Sequence, residues 1–528
     1  MRTRTTAVLM LGLASILAGC KAASGGQDMS YIFEIPAEPV DVAVTLDTAG
    51  TVEALIPVEG GTISATGADG TVYTLEIPSD ALVNETTVSL TPVSDISGMP
   101  FGGEQTYAVQ LGPEGLFLYN HAILTITPAE EFPLGEQIFF GYLEDGKDLI
   151  LASPVVDSSE IQIQVQHFSG TGVTKGLLAD IEPVRERLGG SAERRLDSAV
   201  AAETTRAWSA GASGETFIGA LRALEEAFRQ YEEQVVKPRV EAAGDSCAAG
   251  RLAIQTVVKV YLLRFEAGFS SVPPFEKYPD LWDKFVRVCV QEEYELCVDQ
   301  HIIHRMRSVW AEFKSLASEY PISAAALQEA RDLTVKCLTF RLEFESTGTL
   351  DAGGGGFTSS VTSEITLRFN PDDFTISGEA PQVVEAYEFH LPSCTVSNYV
   401  TEGGTFKVFR LTIVEAPYDR LDPLGKVHDF KLSYLPGITS ASYDITCPPG
   451  GTIHQPPGGA AWMTAFLATH IDEMATGVSD PAIGSDAGVI TMDWEIFGDE
   501  YFAKKEWMKE APNIVEAGTF MLYHTPGG

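Results

Sequence analysis

Positive charge, cysteine and histidine are all scarce in this chain, and each shortage removes a class of function. The 528 residues hold 35 Lys and Arg against 73 Asp and Glu, a formal net charge of −38 at pH 7. Such a field repels phosphate backbones, so nucleic acid is not an expected partner. A solvated acidic surface, a basic partner, divalent cations or a saline setting are all compatible with it. Long uncharged apolar runs are missing beyond the first twenty residues. The nearest approach, Leu252 to Phe265, is interrupted by Lys259 and Arg264, and falls short of the roughly 18 residues a spanning helix needs. There is no Gly-x-Ser-x-Gly elbow, no His-Glu-x-x-His helix and no phosphate loop, so the short motifs of serine hydrolases, zinc proteases and nucleotide-binding enzymes are absent. The glycine run from Asp351 to Phe357 is followed by no Gly-Lys-Ser or Gly-Lys-Thr and reads as a hairpin loop. No cofactor is expected.

What is present is concentrated first at the amino end. Arg2 and Arg4 precede an uncharged stretch from Thr5 to Ala18, which runs into Leu17-Ala18-Gly19-Cys20. A basic start, a short apolar centre and small residues at the cut are the layout of a removable export signal. Leu17 to Cys20 resembles the lipobox of bacterial lipoproteins. That resemblance implies removal of residues 1–19 and acylation of Cys20, with palmitate-like chains as the anchor and the cell envelope as the address. Each buried methylene of such chains is worth about 0.8 kcal/mol, and more than one chain gives lasting attachment. Losing Arg2 and Arg4 leaves a mature charge of about −40. Lys21 follows the cysteine, which in a Gram-negative cell resembles the outer-membrane sorting pattern.

Six cysteines remain: Cys247, Cys289, Cys297, Cys337, Cys394 and Cys447. An even number in an exported chain points to disulfides. On one continuous helix Cys289 and Cys297 would lie about 12 Å apart, beyond the roughly 7 Å limit for a bridge. They are therefore expected to pair with Cys247 and Cys337, in an order the sequence leaves open, and Cys394 with Cys447.

The length leaves room for about three domains, and the expected fold class is multidomain α+β. After a short tether (20–45), residues 46–174 show short alternating runs such as Ile161-Gln162-Ile163-Gln164-Val165, which argue an antiparallel β-sandwich. Residues 175–337 read as an antiparallel helical bundle. In it Phe217, Leu221, Leu224, Phe228, Tyr231 and Val235 form one apolar stripe closed by Pro238, and Asp245 and Ser246 cap a helix through Leu252, Val257, Tyr261 and Phe265. A long helix is expected from about Asp280 to Ser318. Residues 338–528 read as a mostly antiparallel β domain with a short helix near Trp462 to Glu473.

Ile77-Pro78-Ser79-Asp80-Ala81-Leu82, Thr86 to Val93, Leu111-Gly112-Pro113-Glu114-Gly115-Leu116 and His167-Phe168-Ser169 together resemble the β-sandwich domain of ankyrins and netrin receptors, which has bacterial envelope relatives. The likeness spans about residues 50–173 and implies a sandwich used for protein contact and spacing, without a cofactor. Some eukaryotic relatives, in inflammasome and death-domain scaffolds, cut themselves between Phe and Ser of that tripeptide. By analogy Ser169 Oγ would attack the Phe168 carbonyl, an ester would replace the peptide bond, and water would release the fragments, with His167 moving protons. The alternative is that His167 and Phe168 end a strand and Ser169 begins its turn.

Two further clusters have simple readings. Cys297, His301 and His304 could share one helix face as half of a zinc site, or be a cystine beside two surface histidines. Gly244-Asp245-Ser246, faintly like an esterase nucleophile block, opens a helix. His390, His428, His454, His470 and His524 show no ligand spacing. Three functions stand side by side: a lipid-anchored, non-enzymatic scaffold or binding module with an envelope protein or glycan as partner, a self-cleaving protein, and an envelope hydrolase with its site in the C-terminal domain.

Overall fold

A computed structural model describes residues 29–415 apart from 80, 103–104, 134–135, 156–157, 159, 210–214, 352 and 354, and then 428–435, 440–456, 488–492, 503–511 and 514–527. The lipobox, the helix expected near Trp462 to Glu473, and Trp494, Phe497 and Tyr501 lie outside the described residues. The architecture is mixed α+β with antiparallel sheets. It divides into two compact units, the first running to Pro238 and including Gln255–Lys277, the second taking Arg239–Ile254 and everything from Tyr278. The helices are thus shared between two units rather than gathered into the single bundle the sequence suggests.

In the first unit, strands β1 (Ala43–Leu46), β2 (Val52–Ile56), β3 (Gly61–Thr66), β4 (Val72–Ile77), β5 (Thr86–Ser97), β6 (Thr106–Gly112), β7 (Phe117–Thr127), β8 (Gln137–Leu143), β9 (Lys147–Leu151), β10 (Ile161–His167) and β11 (Gly170–Lys175) build two antiparallel sheets. One has the order β1-β5-β6-β11-β8-β9 with β2 also on β5, and the other the order β10-β7-β4-β3. Alternation does its expected work: Ile161, Ile163 and Val165 are buried while Gln162, Gln164 and Gln166 are not, because successive side chains leave a strand on opposite faces. Leu75, Leu90, Val109, Leu124, Ile163 and Phe168 fill the space between the sheets. β4 ends at Ile77, immediately before Pro78, which cannot donate to a ladder.

The other face of the larger sheet is covered by helix α1 (Ala192–Ser209), whose Ala201 and Ala202 pack with Phe140, Tyr142 and Leu151. Part of the segment read as a tether is docked as well. Tyr31 and Ile32 are buried, and the Tyr31 ring lies 5.0 Å from the Arg185 guanidinium and 5.2 Å from that of Arg195. The predicted stripe runs along α2 (Glu215–Tyr231), where Leu224, Phe228 and Tyr231 are buried. Pro238 does not close it. A π turn at Glu232–Val236 inserts one extra residue, so Val236 rather than Val235 takes the buried position, and the chain continues as α3 (Lys237–Glu241) with Pro238 in its first turn. In α4 (Cys247–Glu266) Ser246 Oγ accepts the Ala249 N–H at 3.1 Å, the expected cap. Leu252 and Phe265, however, are exposed. Ala253, Ile254, Val257, Val258, Val260 and Leu263 are buried instead, so α4 is enclosed around much of its circumference rather than along one stripe.

After the short α5 (Pro274–Lys277), the second unit carries α6 (Leu281–Gln300), α7 (Ile303–Glu319) and α8 (Ala324–Cys337). The single helix expected over Asp280 to Ser318 is therefore two. His301 adopts a left-handed conformation, φ 57°, and its N–H closes the end of α6 on the Cys297 and Leu296 carbonyls. A histidine here occupies the place where glycine is usual, which is why no breaker was visible. The β layer comprises β12 (Thr339–Asp351), β13 (Gly356–Asn370), β14 (Thr375–Pro381), β15 (Val383–His390), β16 (Thr395–Glu402), β17 (Thr405–Glu415), β18 (His428–Leu435), β19 (Ser440–Thr446), β20 (Thr452–Gln455), β21 (Gly488–Met492), β22 (Ala503–Ala511) and β23 (Ile514–His524). A nine-stranded sheet has the order β21-β18-β17-β14-β13-β12-β23-β22 with β15 on β13, and a smaller one is β16-β19-β20. The glycine run joins β12 to β13 as a hairpin, with Asp351 opposite Gly356. Phe344, Phe406 and Phe520 pack ring to ring in this unit. Bridges join Cys247 to Cys289, Cys297 to Cys337 and Cys394 to Cys447, which resolves the order the sequence left open.

Gly170, at the start of a strand paired on both sides, tests the packing. A Cβ there would meet the Tyr142 ring at 1.9–2.4 Å, and Tyr142 is fully buried. Gly170→Ala should lower stability by about 2 kcal/mol, within the usual cost of overpacking a core. Urea unfolding measures it, and an unchanged midpoint would show that the ring can move.

Candidate functional site

Strand β10, which ends at His167 just before Phe168 and Ser169, borders a polar cavity among the described residues. A register shift in the β10–β7 pairing falls between Val165 and His167. On either side of this irregularity Gln164, Gln166 and His167 all line the same cavity of about 70 Å³. β7 contributes His121, α1 contributes Asp197, and α4 contributes Lys259 and Glu266, with Ser153, Ser169 and Thr171 completing the polar lining.

Charge is arranged around Lys259, which is 6% exposed. Its ammonium lies 2.7 Å from Asp197 Oδ2 and 3.0 Å from Glu193 Oε1. Burial works against this charge, but the two carboxylates outweigh it and hold the Lys259 pKa above its ordinary value. Burial likewise raises Asp197 against the pull of Lys259. His121 Nε2 sits 2.7 Å from Glu266 Oε1. Burial, followed by Lys259 and Arg194, pushes His167 down to about 3, so its imidazole is neutral at neutral pH. Asp197 Oδ1, Glu266 Oε2 and Gln166 Nε2 are buried atoms with no hydrogen-bond partner in the protein. Groups of this kind are costly unless satisfied, and all three belong to residues that line the cavity.

The tripeptide itself is tightly held. Phe168 N–H donates to the Leu116 carbonyl and Gly115 N–H to the Phe168 carbonyl, both at 2.8 Å. Gly115 supports this turn at φ +77°, a conformation suited to glycine. Ser169 is 5% exposed, and its hydroxyl reaches the Gly170 carbonyl at 3.5 Å.

The other predicted cluster is rearranged. Because α6 stops at Gln300, Cys297, His301 and His304 do not share a helix face. His301 instead meets His524, Nδ1 to Nδ1 at 2.7 Å, and His524 Nε2 lies 3.7 Å from Cys297 Sγ. The ligand atoms of Cys297, Cys337 and His524 fall within 4.8 Å of one another, and His304 is not among them. With both sulfurs bonded to each other, neither is a thiolate free to hold a metal. Sequence reasoning missed His524 here, 187 residues from Cys337. It also missed His121, Asp197, Lys259 and Glu266, whose only visible signal was Lys259 interrupting an apolar helix. Cys20 lies outside the described residues.

No protein-family model matches this chain, and no curated protein matches it.

The depressed His167 pKa fixes the direction of a pH effect. An unfolded histidine titrates near 6.5, so between about 6.5 and 3 the unfolded chain binds a proton that the folded one refuses. This contribution to stability is complete above the unfolded value and is lost as pH falls through that window. Chemical unfolding of the wild type and His167→Gln at pH 7 and pH 5 should show the smaller drop in the variant. Equal drops would mean that His167 charges freely in the folded protein.

Proposed function

We propose that this chain is a lipid-anchored protein of the bacterial cell envelope, working as a non-enzymatic scaffold or binding module with an envelope protein or glycan as partner. The observation that carries this reading is the use of cysteine. All six cysteines after Cys20 are taken up in three bridges, an arrangement suited to an oxidising compartment, and Cys20 alone stands behind an export-like leader. That no described helix is long and apolar enough to cross a membrane is compatible with attachment through lipid. The two-sheet antiparallel form of the first unit supports kinship with the ankyrin and netrin-receptor sandwich, and its polar-lined cavity is compatible with binding.

Self-cleavage between Phe168 and Ser169 has one observation in its favour, the Gly115 N–H aimed at the carbonyl that would become an oxyanion. Two facts oppose it. A histidine held near 3 is a poor proton acceptor at neutral pH, and neither Phe168 nor Ser169 has a positive φ that would mark backbone strain.

Mass spectrometry of the membrane fraction should find acyl chains on a Cys20-terminated chain, and Cys20→Ser should move the protein into the soluble fraction. An intact leader in cytosolic material would sink the anchored reading. On a denaturing gel the purified protein should run as one band; a fragment pair abolished by Ser169→Ala would establish self-cleavage instead.

A further inference from the structure

We infer that Cys297 and Cys337, in their dithiol form, make a zinc site completed by His524, so that the bridge and the metal are alternative ways of closing one junction in the second unit. Among the described residues these three are the histidine, cysteine and carboxylate side chains whose ligand atoms converge, all within 4.8 Å of one another, and neither of the other cysteine pairs has such a third ligand in reach. They come from three places: the last turn of α6, the last residue of α8 and the last residue of β23. All belong to one unit.

The backbone holds the donors in place. His524 stands opposite Phe340 at the start of β12, and the N–H groups of Thr525 and Gly527 donate to the carbonyls of Thr339 and Lys336, on either side of Cys337. The Cα atoms of Cys297 and Cys337 are 6.0 Å apart, against 4.3 Å in each of the other two bridges, which leaves room for a metal between the sulfurs. His524 Nε2 lies 3.7 Å from Cys297 Sγ. A sulfur and a nitrogen bound tetrahedrally to zinc, at about 2.3 and about 2.0 Å, are about 3.5 Å from each other, so this edge of the site is nearly at its working length.

Protons and charge balance. In the bridged chain His524 Nε2 donates to the Cys337 carbonyl at 2.6 Å, and its Nδ1 meets His301 Nδ1 at 2.7 Å. The metal takes the place of the Nε2 proton; the proton between the rings moves onto His524 Nδ1, and His301 regains one at Nε2. His301 then becomes the outer partner that orients a metal-bound imidazole. Zinc also displaces one proton from each thiol. Two thiolates and one dication leave the site neutral, which suits two cysteines with no exposed surface, and water completes the tetrahedron. The chain is synthesised with thiols, so zinc enters without a reductant, and formation of the bridge closes the site to it.

Cobalt(II), whose colour reports tetrahedral thiolate ligation, tests the site. The chain without residues 1–19, produced and kept under a phosphine reductant, should bind a single equivalent with a thiolate charge-transfer band that zinc bleaches, while the oxidised chain stays colourless. Cys394→Ser should leave the band unchanged. His524→Ala should weaken binding by on the order of tenfold or more, and His524→Cys should restore it with a stronger charge-transfer band, a gain that misfolding cannot imitate. A colourless reduced chain, a band indifferent to His524→Ala, or one lost with Cys394→Ser would overturn the site. The envelope reading stands or falls separately, on the location of the Cys20 chain.

Discussion

A single buried ammonium organises the first unit. Lys259 sits on α4 with its charge out of water, a state that persists only with close countercharge, and α1 supplies it from two successive turns, Glu193 and Asp197. Residues four apart on a helix share a face, so both carboxylates reach the same nitrogen. The pair locks α4 against α1, and α1 lies on the larger sheet. Stranding one member of such a buried pair costs about 3–5 kcal/mol, so the helices and the sandwich share one electrostatic fastening. The polar residues that would otherwise weaken an apolar interface are what create the cavity beside it.

Much of the scaffold was legible because it rests on local rules. Strand alternation in Ile161 to Val165, the cap at Ser246 and the end of β4 before Pro78 depend only on near neighbours along the chain. Helical geometry separated Cys289 from Cys297, both on α6, and so narrowed the disulfide pairing. Where reading failed, the deciding interaction was remote or the signal atypical. His301 ends a helix in a left-handed conformation without being glycine. The π turn at Glu232–Val236 moved the apolar stripe by one residue with nothing in the composition to announce it. The helices looked like one bundle because periodicity reveals that a face is buried but never what buries it.

The candidate site was legible only at one edge. His167, Phe168 and Ser169 stood out as a motif, whereas Asp197, Lys259, His121 and Glu266 reach the cavity from three other elements and have no mutual spacing in sequence. In the sequence Lys259 interrupts an apolar run. In the fold that interruption carries the site's only buried ammonium. An ionisable residue inside an otherwise apolar helix is therefore better treated as a pointer to a partnered cavity than as a reason to discount the segment.

The same field bears on the self-cleavage that the tripeptide suggests. Proton abstraction from Ser169 would need an imidazole whose basicity matches the surrounding pH, but burial first, and then Lys259 and Arg194, strip His167 of that basicity. Withdrawing Lys259 would relieve only part of that depression and would leave Glu193 and Asp197 uncompensated. The fastening that stabilises the unit thus works against turnover at the Phe168–Ser169 bond. The buried ion pair and the tripeptide therefore meet at one strand end, and the charge that fastens the helices also sets the protonation of the imidazole beside the Phe168–Ser169 bond.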